Sequence, residues 1–208
     1  MCAELSAEFA LWEPDDTLLA AVRARTDRPF VPTWPDQDAD YADVRQIDLD
    51  QMVPYVSGID SVANNTIPLH ELRERIKVDQ CVVGSCANGT INDLAAVAAV
   101  LRGRKTASWV RFIVTPGSMA IYREAAESGI LTTIAAAGAL ITPSACGACA
   151  AQDFGALAPG EVCLTATTRN FKGRMGSPEA RIYMASPATV AASAVTGYIS
   201  HPGELPDS

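Results

Sequence analysis

The sequence lacks the basic surface pattern of nucleic-acid-binding proteins. Its 208 residues include 24 acidic and 16 basic side chains, which gives a formal net charge of −8. A nucleic-acid interface usually combines clustered lysine and arginine with aromatic residues, whereas aromatic residues make up only 6% of this chain. The composition therefore argues against a nucleic-acid partner.

Long apolar runs are also absent. No stretch reaches the roughly 20 apolar residues needed to cross a bilayer, and the first residues, MCAELS, lack the charged and apolar regions of a secretory signal peptide. We therefore expect a cytoplasmic protein with no membrane partner. In that reducing compartment, six cysteines favour metal-binding or catalytic thiols over a disulfide framework. The only two histidines, His70 and His201, are expected at the surface.

Residues 1–77 are predicted to form an N-terminal arm of mixed character. Acidic residues followed by the apolar pattern of residues 17–23 predict a short capped helix. Three prolines in residues 29–35 prevent regular structure. The near alternation of apolar and polar side chains in residues 44–49 predicts an edge strand, and residues 58–66 have the composition of a loop.

Residues 78–208 are predicted to form one α/β domain. Apolar strands alternate with helices in this region, which indicates a mostly parallel sheet with helices on both faces. The predicted strands cover residues 80–84, 110–114, 139–142, 162–165 and 182–185, and the predicted helices cover residues 91–101, 120–127, 131–137 and 188–195. Ligands of such sheets bind beyond the carboxyl ends of the strands.

Three cysteines fall in turns that follow predicted strands. Cys86 lies in the segment GSCANG, and Cys146 and Cys149 form a CxxC motif in ACGACA. Three thiolates that converge from two loops can hold an iron-sulfur cluster or another soft metal centre with one open position. A CxxC motif alone is also typical of a zinc half-site or a thiol redox pair. The remaining cysteines, which are predicted to have no role in this site, are Cys2, Cys81 and Cys163.

Several motifs in a fixed order give the chain a family resemblance. These motifs are VGSCANG at residues 83–89, VTPGS at 114–118, CGAC at 146–149, RNFKGRMG at 169–176 and ASPA at 185–188. Together they resemble the aconitase superfamily, and among its branches the large subunits of 3-isopropylmalate dehydratase and homoaconitase. The resemblance covers most of the chain and implies a fold like domain 3 of aconitase.

The resemblance also implies a cofactor and a reaction. The implied cofactor is a [4Fe-4S] cluster held by Cys86, Cys146 and Cys149. The implied reaction is a hydro-lyase or isomerase reaction that dehydrates and rehydrates a hydroxy di- or tricarboxylic acid, with the open iron as Lewis acid. Arg169 and Arg174 match family positions that clamp substrate carboxylates, which suits the guanidinium fork.

Two asparagines complete the implied site. Asn88 and Asn170 match polar positions near the cluster and substrate. The sequence departs from the usual family pattern at Ala87 and Thr168, where threonine and asparagine are usual, and in the residues around the CxxC motif. These differences leave the substrate unassigned, and no catalytic acid or base is matched.

The resemblance covers only the C-terminal half of such a large subunit. It therefore implies two partner chains, one that supplies the missing N-terminal half and a small swivel-domain subunit, in addition to a small carboxylic acid substrate. Two other function classes stay open. One is a non-catalytic or regulatory aconitase-like subunit, and the other is a CxxC thiol redox or zinc protein.

Overall fold

The computed structural model describes residues 7–151 and 154–205. The chain divides into two compact units, Met1–Met52 and Val53–Ser208, so the predicted boundary after residue 77 lies inside the second unit. Among the described residues, no helix is long and apolar enough to cross a membrane.

The first unit contains the predicted short helix, α1 (Asp16–Arg23). The helix begins after Asp15, whose carboxylate accepts a hydrogen bond of 2.7 Å from the Leu18 amide. The predicted edge strand at residues 44–49 is wrong, because these residues are exposed and have no strand beside them. Its last part instead leads into a 3-10 helix, Leu49–Gln51, which Asp48 caps.

The second unit is built on a sheet of seven strands in the order β2-β1-β7-β6-β3-β4-β5. The five strands from β7 to β5 run parallel, whereas β1 pairs antiparallel with both β2 and β7. The strands are β1 (Tyr55–Ser57), β2 (Thr66–Pro68), β3 (Gln80–Gly84), β4 (Arg111–Thr115), β5 (Leu140–Ile141), β6 (Val162–Thr165) and β7 (Arg181–Ala185). This arrangement confirms the α/β fold with a mostly parallel sheet.

Side-chain caps define where the helices of this unit begin. The helices are α2 (Ile91–Leu101), α3 (Met119–Glu127), α4 (Ile130–Ala136) and α5 (Pro187–Thr196). A capping box of Thr90 and Asp93 starts α2, and the hydroxyls of Ser118 and Ser186 cap α3 and α5. Each cap satisfies backbone amides that have no partner within the helix. The four helices therefore lie close to where the sequence predicted them.

The two faces of the sheet are covered differently. The larger core packs alternate strand residues such as Val83 and Leu164 against the four helices. On the opposite face, Val82 and Cys163 pack instead against residues of loops and of a 3-10 helix, Gly147–Cys149. Among the described residues of this unit, all α-helices thus lie on one face, which corrects the expectation of helices on both.

The order of the strands explains this asymmetry. The connections from β3 to β4 and from β4 to β5 move in one direction along the sheet, and right-handed crossovers therefore place α2, α3 and α4 on the same face. The chain then returns to β6 through residues 142–161 and covers the other face. That connection contains three glycines and two prolines, which disfavour a long helix.

Candidate functional site

The candidate cysteines and arginines follow strands that end at the same edge of the sheet. Cys86 follows β3, the CxxC motif follows β5, and Arg169 and Arg174 follow β6. Because these strands are parallel neighbours or lie on either side of β4, their carboxyl ends lie on one edge. This is the edge at which open α/β sheets bind ligands.

The two cysteine-bearing segments both approach Thr115 at the end of β4. On one side, the Ser85 amide donates a hydrogen bond of 3.0 Å to the Thr115 carbonyl. On the other side, a Cβ atom added to Gly147 would lie 3.4 Å from the Thr115 hydroxyl oxygen. That hydroxyl is also 2.7 Å from the hydroxyl of Thr142, just after β5. Thr115 is therefore the point where the segments of Cys86 and of the CxxC motif come together.

The approach on the Cys86 side depends on glycine. Gly84 has a φ of +89°, and a Cβ atom at this position would lie only 1.9 Å from the Thr115 carbonyl oxygen. Any larger residue would therefore push the Cys86 loop away from β4, in addition to its conformational strain. The amide of Gly117 donates to the carbonyl of Gly89 at 2.9 Å and holds the far end of the same loop.

The three candidate thiols differ in exposure. Cys86 and Cys146 are exposed, Cys149 is buried, and all three are free thiols. Within residues 7–151 and 154–205, no three histidine, cysteine or acidic side chains lie close enough together to hold a metal ion. The fold thus brings the two peptide segments together, but it does not bring their three thiols close to one another.

Arg174 contacts the CxxC motif directly. Its Nε atom donates a hydrogen bond of 2.8 Å to the Cys149 carbonyl, and its Nη2 atom lies 3.4 Å from the Cys149 sulfur. The guanidinium also lies 5.7 Å from the centre of the Phe171 ring. Arg169 is partly buried in the same loop. Arg174 therefore joins the loop after β6 to a candidate cysteine.

The two predicted asparagines bind backbone carbonyls. The Asn88 amide nitrogen donates to the Ala166 carbonyl at 2.5 Å and so links the Cys86 loop to the end of β6. Asn170 is only 3% exposed and donates to the carbonyls of Gly58 at 2.5 Å and Ile182 at 3.3 Å. Asn88 thus connects two segments at the carboxyl edge, whereas Asn170 connects the loop after β6 to the first half of β7 and to the end of β1.

Two serine hydroxyls at this edge were not predicted as site residues. The side-chain oxygens of Ser85 and Ser144 are buried, and among the described residues they are the only buried side-chain nitrogen or oxygen atoms without a hydrogen-bond partner. Ser85 is 1% exposed and also has a φ of +113°, which is strained for a residue with a side chain. The only sequence feature that could have identified these serines as site residues is their position within two residues of Cys86 and Cys146.

The residues at this edge fit the cluster that the resemblance implies. Three thiols supply the soft donors that iron-sulfur clusters require. The hydroxyls of Ser85 and Ser144, which have no partner among the described residues, can donate to cluster sulfur or to substrate oxygen, and hydrogen bonds to the sulfurs tune such clusters. The donor set is therefore suitable, although the thiols must move closer together to act as common ligands.

The other described cysteines lie within strands. Cys81 is in β3 and Cys163 is in β6, and both are buried. Burial raises the pKa of the Cys81 thiol well above its usual value and raises the pKa of Cys163 to about 12. Both thiols are therefore protonated at neutral pH and unsuited to bind a metal. Cys2 lies outside the described residues.

The two histidines make local contacts within their own segments. His70 is exposed, and its Nε2 atom lies 4.0 Å from a carboxylate oxygen of Glu71. The Nδ1 atom of His201 accepts a hydrogen bond of 3.0 Å from the Gly203 amide. Neither contact links a histidine to a candidate cysteine or arginine.

The architecture and this edge define an α/β protein with a thiol-rich candidate ligand site beyond its parallel strands. A sequence model of the Aconitase family (aconitate hydratase) matches residues 1–197. The chain belongs to the aconitase family.

Several relatives carry more specific names. The chain is 52% identical over 198 residues to a 3-isopropylmalate dehydratase large subunit of Mycolicibacterium smegmatis, a match that covers 95% of this chain and 47% of that protein. It is 44% identical over 207 residues to a homoaconitase large subunit of Thermus thermophilus, which covers 99% of this chain and 47% of the relative. The chain thus spans about half the length of the curated relatives it matches.

Proposed function

We propose that this chain is the cluster-bearing component of a hydro-lyase that dehydrates and rehydrates a hydroxy di- or tricarboxylic acid. The observation that carries this proposal is the approach of both cysteine-bearing segments to Thr115, with the guanidinium of Arg174 on Cys149. A zinc or redox CxxC motif requires neither the separate Cys86 loop nor an arginine at this point. The names of the relatives, which are dehydratase and homoaconitase large subunits, favour the same reaction class.

In this proposal, Cys86, Cys146 and Cys149 hold a [4Fe-4S] cluster. When bound, the cluster supplies a Lewis acid for the departing hydroxyl group of the substrate. The hydroxyls of Ser85 and Ser144 donate hydrogen bonds toward this site, because they have no partner within the described residues. Thr115 holds the two cysteine-bearing segments next to each other through its carbonyl and hydroxyl groups.

The loop after β6 binds the substrate carboxylates. Residues 166–176 contain three basic side chains and no acidic one. Arg169 and Arg174 act as the carboxylate clamps, since a guanidinium can bind both oxygens of a carboxylate at once. Lys172 lies 3.6 Å from Asp60 in an exposed ion pair, and it is therefore a less suitable clamp. Asn88 and Asn170 complete the polar lining of this site.

Partner chains supply the remaining groups. The chain matches only about 47% of the length of its relatives, and the five motifs that carry the family resemblance contain no histidine, aspartate or glutamate. We infer that a chain with the missing N-terminal half and a small swivel-domain subunit provide the acid and the base. The whole enzyme is then a heteromer.

The test is anaerobic reconstitution with ferrous iron and sulfide. The purified chain should turn brown, with broad absorption near ~400 nm. After addition of the unmatched part of the Mycolicibacterium smegmatis large subunit and a small subunit, the mixture should hydrate an unsaturated dicarboxylate. A colourless protein would contradict cluster binding, a brown but inactive mixture would favour a non-catalytic subunit, and turnover by the chain alone would exclude the need for partners.

A further inference from the structure

The first unit exposes its apolar side chains. None of residues 7–52 is buried, and Leu11 and Trp12 are 94% and 86% exposed. Large apolar side chains of this unit that are exposed in the same way include Phe9, Val31, Trp34, Tyr41, Val44 and Ile47. Exposure of so many large apolar side chains in one unit is typical of a protein interface.

Part of this surface is a groove with a defined shape. The groove has a volume of about 700 Å³ and is lined by Leu11, Trp12, Trp34, Tyr41 and Val44, together with Pro35 and polar residues. The Trp34 indole nitrogen donates a hydrogen bond of 3.1 Å to the Pro14 carbonyl, which fixes one wall relative to the start of α1. Three prolines between residues 29 and 35 restrict the backbone of the same wall. A preformed groove loses less conformational freedom when a partner binds.

The first unit also carries all of the net charge. Residues 1–52 contain 12 acidic and four basic side chains, a net charge of −8, whereas residues 53–208 contain 12 of each. Charged and apolar residues alternate along the groove segment, with Asp43 and Arg45 beside Val44. A partner surface that covers the groove should therefore combine apolar side chains with positive charge.

The partner that binds this groove can be inferred from the length and the charge of the chain. The family match begins at residue 1, so the first unit belongs to the family's own sequence, while about half of each relative has no counterpart here. Two copies of the first unit would bring together two net charges of −8, which opposes self-association. We propose that the groove of the first unit docks onto a basic and apolar surface of the chain that supplies the missing half of the family large subunit. This inference rests on the partner requirement of the proposed function.

The experiment measures binding of the full chain to one probe. The probe is the separately produced part of the Mycolicibacterium smegmatis large subunit that this chain does not match. The double variant L11A/W12A removes two groove residues, and M119A/L140A removes two exposed apolar residues of the second unit as a matched control. We expect nanomolar to micromolar binding by calorimetry, a Kd raised about 100-fold or more in L11A/W12A, and an unchanged Kd in the control.

Removal of acidic charge from the first unit gives a second test of binding to the probe. Changing Asp36, Asp38, Asp40 and Asp43 to asparagine should weaken binding at low salt and reduce its dependence on salt concentration. The proposal is overturned by absence of binding to the probe, by an unchanged Kd in L11A/W12A, or by concentration-dependent self-association that L11A/W12A abolishes. Failure of the proposed function is separate, because it appears as a colourless or inactive protein whether or not the Kd responds to the groove variant.

Discussion

The amino and carboxyl edges of the parallel sheet differ in how fully their polar groups are hydrogen-bonded within the chain. At the amino edge, the buried Gln80 amide donates to the Gly155 carbonyl at 2.9 Å and accepts from the Arg111 Nε atom at 3.1 Å. Arg111 also forms two hydrogen bonds of 2.8 Å with Glu161. These polar groups satisfy one another within the chain.

The carboxyl edge leaves comparable groups unsatisfied. The hydroxyls of Ser85 and Ser144 have no partner among the residues that the structure describes, and two free thiols are exposed. Ser85 and Asn88 also have positive φ angles. Unpaired buried polar groups and strained backbone lower stability, and proteins keep them mainly where a ligand makes use of them. We infer from this difference that one edge serves stability and the other serves binding, and four predictions test this contrast.

The largest expected effect distinguishes the candidate ligand cysteines at the carboxyl edge from the buried cysteines within the strands. Cys146→Ser at the carboxyl edge should abolish absorption near ~400 nm after reconstitution, because one soft ligand is lost. The matched control, Cys163→Ala in β6, should keep the full absorption. It should lower the free energy of unfolding by about 1–2 kcal/mol, because it leaves a small cavity in the core. Loss of the chromophore in Cys163→Ala, or its retention in Cys146→Ser, would contradict the assignment.

The second prediction compares two arginines. Arg174→Lys should raise the KM for the dicarboxylate about 10- to 100-fold, because lysine cannot form the paired hydrogen bonds of a guanidinium. Arg111→Lys at the amino edge should leave KM unchanged and lower the free energy of unfolding by about 1 kcal/mol. Steady-state kinetics of the reconstituted enzyme and urea denaturation measure the two quantities. If Arg174→Lys changes stability alone, its bond to the Cys149 carbonyl is its main role.

Much of the fold could be predicted because its signals are local. Residues 91–101 have a capping residue at Thr90 and a helical pattern of apolar side chains, and the observed helix has the same bounds. The run that forms β3 is wholly buried, and the sequence predicted it as an apolar strand. Each of these signals lies within a dozen residues, so no knowledge of the tertiary structure is needed.

The features that could not be predicted from the sequence depend on contacts between residues that are distant in the chain. The strands β1 and β2 have only three residues each and depend on pairing with each other and with β7. Asn170 donates to a carbonyl 112 residues away in sequence. Likewise, a local pattern identifies Ser85 as polar and close to Cys86, but it cannot show that the hydroxyl has no partner. These features depend on which segments the complete fold brings together.

The third prediction removes the strain at the carboxyl edge. In the cluster-free protein, Ser85→Gly should raise the free energy of unfolding by about 1–2 kcal/mol, because it eliminates an unsatisfied hydroxyl and a disfavoured φ angle. As a control, Ser193→Ala should be destabilising, because that hydroxyl donates to the Thr189 carbonyl and accepts from the Ser200 amide. After reconstitution, Ser85→Gly should lose its colour faster in air. Destabilisation by Ser85→Gly would show that the hydroxyl has a structural partner.

The smallest effect concerns acid stability at the amino edge. Hydrogen bonds from Arg111 and from the Ala158 amide lower the pKa of Glu161, while its partial burial acts in the opposite direction. A carboxylate whose pKa is lower in the folded state stabilises the protein above the unfolded pKa of ~4.3. This contribution is lost as the pH falls through the folded pKa. We therefore expect part of the stability at neutral pH to disappear below about pH 4.3.

Glu161→Gln isolates this contribution, because glutamine keeps the size of the side chain and removes its charge. At pH 7 the variant should be less stable than the original protein by about 0.5–1 kcal/mol, and the difference should shrink toward zero under acid conditions. Urea denaturation at several pH values measures the difference. Reconstituted Glu161→Gln should retain its absorption and its KM, because the amino edge lies at the opposite end of the strands. A change in KM would mean that the two edges are coupled and that their division into stability and binding is too simple.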